Sequence, residues 1–216
     1  MGVLVMTLAH KFSGAGAALL FLLAPAACSA EQVTITPPAE VAALMSACTP
    51  IGTTGPDIRD TLIDRGWVSF EPDDKLEGLQ VLSAAILWSI LPDSLPAERI
   101  ANFDAATDAV SRAADGETAS LLRYGDQIAM LLWNGDNLSC VWAGPQSEAV
   151  DTLAVQVGGF PESDGVTTAA LNQTVEAGGR DWARRMSLGR TPVAELPAQV
   201  ADRAVTDAAR LDRSPS

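Results

Sequence analysis

Between residues 119 and 143 the chain reads ASLLRYGDQIAMLLWNGDNLSCVWA, three apolar runs separated by Gly125-Asp126 and by Asn134-Gly135-Asp136. Gly-Asp and Asn-Gly pairs favour short hairpin turns, so the runs predict antiparallel strands over residues 119–124, 127–133 and 138–143. Side chains alternate between the two faces of a strand. With Gly125-Asp126 and Gly135-Asp136 as two-residue loops, one face collects Leu122, Tyr124, Ala129, Leu131, Trp133, Leu138, Cys140 and Trp142 among others. The other collects Leu121, Arg123, Ile128, Met130, Leu132, Val141 and Ala143. Both sets are mostly apolar, which predicts cover on both sides of this meander. A buried helix over residues 128–133 is the competing assignment, and the bracketing turns oppose it.

The flanking segments predict that cover. Thr36-Pro37 can start a helix in which Val41, Leu44, Met45 and Cys48 fall on one face. Residues 56–65 read as a second helix, stopped by Gly66, and residues 67–70 as a brief strand. From Asp73 or Asp74 to Leu91 runs a helix apolar almost all round, expected to be central. Residues 96–114 form a fourth helix, and Ser147 caps a fifth that ends at Gly158-Gly159. Residues 166–175 and 180–188 read as two further strands around Ala177-Gly178-Gly179, although Ala, Arg and Met would also suit a helix in the latter. Residues 197–211 carry a weak helical pattern, and residues 212–216 read as a frayed tail.

The fold class expected is therefore α+β: an antiparallel sheet built on the central meander, with helices packed on it. Residues 31–211 are expected to form a single domain, since 216 residues suit one domain with a short extension.

Residues 1–30 read as a secretory signal. Lys11 supplies positive charge, residues 13–27 are small and apolar, and Cys28-Ser29-Ala30 places small residues before a cleavage at Glu31. Ala26-Ala27-Cys28 also resembles the end of a bacterial lipoprotein signal, with Pro25 where leucine usually stands. Cys28 is thus a lipidation candidate. The expected location is the periplasm or the exterior, with a lipid-anchored envelope protein as the alternative. Cys48 and Cys140 remain, and two cysteines in an oxidising compartment predict a disulfide.

Composition then removes chemistries. The net charge of -13 argues against nucleic acid and anionic membrane surfaces as partners. His10 is the only histidine and lies in the expected signal, while Lys75 is the only lysine after it. A Ser-His-Asp triad, a Cys-His pair and the usual histidine zinc sites all need what the mature chain would lack. No Gly-rich phosphate loop is present, and no cofactor or metal is expected. Carboxylate chemistry and non-catalytic binding survive this filter.

Glu71, Asp73 and Asp74 could supply an acid and a base, although acids at a helix start are also what the helix dipole favours. Glu162 and Asp164 lie in a turn without the spacing of a calcium loop. Arg180, Arg184 and Arg185, with Arg190 nearby, are the candidate anion-binding residues of an acidic chain. Trp67, Trp88, Trp133, Trp142 and Trp182 fall mostly at core-like positions. The leading expectation is a non-enzymatic envelope protein that binds a protein or small ligand. The alternatives are a carboxylate-based hydrolase of envelope polysaccharide and a lipid-anchored assembly factor.

Overall fold

The computed structural model describes residues 40–216. The signal over residues 1–30, the lipidation candidate Cys28 and the Thr36-Pro37 helix start lie outside the described residues. From Glu40 the order is α1 (Glu40–Cys48), α2 (Gly55–Asp64), β1 (Val68–Ser69), α3 (Lys75–Ala85), α4 (Leu87–Ile90), α5 (Pro96–Ala101) and α6 (Phe103–Ala114). Strands β2 (Ala119–Tyr124), β3 (Gln127–Asn134) and β4 (Asn137–Pro145) follow, then α7 (Glu148–Gln156), β5 (Thr167–Ala177), β6 (Arg180–Arg190) and β7 (Val205–Pro215).

The meander forms in the register its turns dictate. Tyr124 pairs with Gln127 and Asn134 with Asn137, so Gly125-Asp126 and Gly135-Asp136 are the loops. Both glycines take φ of 57°, a conformation that side chains resist. One face packs Leu122, Ala129, Leu131, Leu138, Cys140 and Trp142 against α1, α2 and α7, through Leu44, Ile58, Leu62 and Val150. The other packs Leu121, Ile128, Met130, Val141 and Ala143 against α3 and α6, through Leu79, Leu82, Phe103 and Val110. The result is α+β: one antiparallel seven-stranded sheet, order β1-β2-β3-β4-β7-β6-β5, between two layers of helices.

The disulfide Cys48–Cys140 joins the end of α1 to the middle of β4 across a sequence separation of 92. Both cysteines are fully buried.

The C-terminal segment differs from its expectation. Residues 197–211 are not an amphipathic helix, and residues 212–216 are not a frayed tail. A short 3-10 turn at Ala201–Arg203 leads into β7, which runs to Pro215 between β4 and β6. Val205, Ala208, Ala209 and Leu211 imitate helical spacing, but they alternate across a strand buried on both sides. Such a strand loses the polar-apolar alternation that would announce it. Small Ala208 and Ala209, both at 0% exposure, suit a position between the two helical layers.

Two expected helices are also divided. The one predicted to end at Leu91 breaks at Ile86 (φ -103°, ψ 8°), after which Trp88 is set against the sheet. The one over residues 96–114 breaks at Asn102, whose side-chain amide donates to the Glu98 carbonyl at 2.8 Å. Such local bonds compete with the helical ladder.

Candidate functional site

On the α3 side of the sheet, β6 and β7 meet β5, α4 and α5. There α4 and α5 overhang a recess of about 380 Å3, walled by Trp88, Pro92, Val166, Ala170 and Ser187. Three arginines reach it from three elements: Arg99 on α5, Arg185 on β6 and Arg210 on β7.

The register explains how the strand residues meet. Arg185 is opposite Asp212, and Ser187 is opposite Arg210. These four therefore occupy a square on one face. Within it Arg210 Nε donates to both Asp212 oxygens, at 3.0 and 2.8 Å, and Arg185 Nε donates to Ser187 Oγ at 3.2 Å. Arg99 lies 3.6 Å from the Glu195 carboxylate. Among the described residues Arg185 has no carboxylate partner.

Trp88 closes the inner wall. Its indole lies over the backbone of Gly189, where a β-carbon would fall inside the ring. The Trp88 N–H is buried without an acceptor.

The predicted arginine cluster is divided by the strand. Arg180 and Arg184 share the face of Trp182, whereas Arg185 points to the other side. Arg180 is bound to Asp136 at 2.6 Å and lies 4.3 Å from the Trp182 ring. Arg184 bonds Gln173 on β5. Arg190 holds the fully buried Asp207 through two bonds, at 2.7 and 2.8 Å, and reaches Asp151 on α7 at 2.8 Å. The Asp207 hydrogen bonds hold the Arg190 guanidinium above its ordinary range. Only Arg185 of the predicted group joins the recess. Arg99 and Arg210 went unseen, since no local signal ties residues separated by 86 and 25 positions to Arg185.

The predicted carboxylates also disperse. Glu71 and Asp73 are exposed. Asp74 lines a separate groove with Glu77 and Asp126, but it pairs with Arg123 at 3.3 Å. Glu77 in turn pairs with Arg203. Four of the five tryptophans, Trp67, Trp88, Trp142 and Trp182, are buried. Among the described residues no three His, Cys, Asp or Glu side chains cluster as a metal site, and no helix is long and apolar enough to cross a membrane.

The fold and the recess define an α+β protein with an arginine-lined pocket. Comparison with protein-family models, curated proteins and solved structures finds no match to this chain.

Proposed function

We propose that this is an exported, non-enzymatic binding protein that holds a small organic anion in the recess on β5, β6 and β7. The reading rests on one observation: Arg99, Arg185 and Arg210 converge on one recess in a chain of net charge -13. Guanidinium forks match carboxylate and phosphate oxygens in pairs. Glu195 lies beside Arg99 and Asp212 holds Arg210, while Arg185, opposite Asp212, makes no carboxylate hydrogen bond of its own. Trp88 and Val166 offer an apolar wall to the body of the ligand. The volume lies within the range of small-molecule pockets, roughly 300–1,000 Å3.

Export is supported by the signal-like residues 1–30 and by the buried Cys48–Cys140 bond, which suits an oxidising compartment. The binding role is supported by the state of the reactive groups. Both described cysteines are bonded to each other, and Lys75 is paired with Asp115 at 2.6 Å.

The test is calorimetric titration of the disulfide-intact protein, at low salt, with a panel of sugar phosphates, dicarboxylates and sugar acids. At least one class should bind. Arg185→Met and Arg210→Met should each weaken it by about tenfold or more, the worth of a charge-assisted hydrogen bond. Arg59→Ala, on the far surface of α2, should leave it unchanged. A panel without binders, or binding indifferent to both recess variants, would overturn the proposal.

A further inference from the structure

Arg213 is 4% exposed, and it lies on the opposite side of the sheet from the arginine recess. Its Nη2 donates to the carbonyl of Thr53, in the loop between α1 and α2. Its Nε and Nη1 have no partner. Among the described residues no carboxylate pairs with it. Arg184, a second cation, is directly opposite on β6. Like charges in that relation repel, and a buried, uncompensated charge is strongly unfavourable.

A cavity of about 40 Å3 adjoins this guanidinium, lined by Gly52, Thr53, Gly55, Trp133, Asp136 and Trp182 among others. Gly55 opens α2, whose next residue Pro56 has no N–H and whose Asp57 N–H donates to Thr54 Oγ, so the free donors at this cavity come from Arg213. The two acids nearby are occupied. Asp136 is bound to Arg180 at 2.6 Å, and Asp57 accepts from the N–H and hydroxyl of Thr54 at 3.2 and 2.6 Å. Burial pushes the Arg213 guanidinium below its ordinary range, in keeping with a cation short of compensation.

We infer that Arg213, with the loop that leads into α2, forms a buried site for one chloride-sized monoanion. The size of the cavity sets the class. A water needs roughly 10–15 Å3 of such space, so a halide fits and an organic anion does not. The bound ion would compensate Arg213 and fasten the loop over residues 49–54 to β7.

The experiment is thermal unfolding at constant ionic strength, with sodium chloride replaced stepwise by sodium gluconate, whose anion exceeds the cavity. The melting temperature of the native protein should rise with chloride. Above the dissociation constant the increment should be about 3–6 °C per tenfold chloride. Arg213→Met should abolish the dependence. Asp136→Asn, which removes the carboxylate from the cavity wall, should lower the chloride midpoint several-fold. A chloride-independent native protein, or an undiminished response in Arg213→Met, would overturn the inference. Should Arg213→Met fail to fold, an unshifted midpoint in Asp136→Asn overturns it instead.

Discussion

Trp88 packs its indole directly against Gly189, and the missing side chain of that glycine is the seat of the ring. Gly189 does not adopt a positive φ, so its backbone would accept other residues. The requirement is steric. Trp88 follows the break at Ile86 and closes the wall of the arginine recess, so one contact couples the helical layer, the sheet and the candidate site.

Gly189→Ala should therefore displace the indole instead of straining the strand. Overpacking of this kind costs about 1–3 kcal/mol. Chemical denaturation should register that loss, and tryptophan fluorescence should report a changed environment. The displaced ring should also weaken any anion held in the recess. An unaltered stability would mean that Trp88 is not seated on Gly189.

The Cys48–Cys140 bond closes a loop of 92 residues between the first helix and the core of the sheet. The chain-entropy treatment gives about 4–5 kcal/mol for a loop of this length. The Cys48→Ser, Cys140→Ser double variant should unfold at markedly lower denaturant. Reductant should bring the native protein to a similar midpoint and leave the variant unmoved.

Asp207 has no exposure and receives Arg190 twice, and the Ser147 N–H donates to it at 2.9 Å. It thereby ties β7, β6 and the start of α7 together. Asp207→Asn keeps the shape but leaves Arg190 with only Asp151 as a carboxylate partner. Breaking one half of a buried pair costs about 3–5 kcal/mol, and the half-exposed Asp151 places the expected loss near the lower figure. Urea titration of this variant would measure it. Asp151→Asn, at the solvent end of the same network, should cost less than about 1 kcal/mol.

Asp57 completes a capping box with Thr54 at the start of α2. Hydrogen bonds from the Thr54 side chain and backbone hold its carboxyl below the ordinary value of 3.8. A lowered carboxyl stabilises the folded state above the unfolded value and loses that contribution as pH falls through the folded one. Asp57→Asn should hence melt below the native protein by a constant margin from pH 7 to about pH 5. The margin should close below about pH 4, where the native carboxyl protonates as well. A margin independent of pH down to 2 would deny the capping carboxylate its role.

Much of the architecture was legible locally. Gly125 and Gly135 pin two-residue loops, and a strand alternates with period two, so the turns alone assigned Leu131 and Cys140 to one face and Met130 and Val141 to the other. Two apolar faces then demanded two helical layers, and both are present. A short list of cysteines in a chain with a signal-like start was enough to pair Cys48 with Cys140. These features are written in periodicity, turn chemistry and composition, which act over a few residues or over the whole chain.

The identity of β7 and the make-up of the recess were decided only by the tertiary structure. Residues 205–215 carry spacing that suits a helix and contain Ala208 and Ala209, and they become a strand because the gap between β4 and β6 supplies hydrogen-bond partners on both edges. That insertion sets Arg210 diagonal to Arg185, and the overhang of α5 adds Arg99. It also buries Arg213 beneath the loop before α2. No local pattern encodes such meetings, because the energy of a charge depends on which distant groups the fold brings beside it.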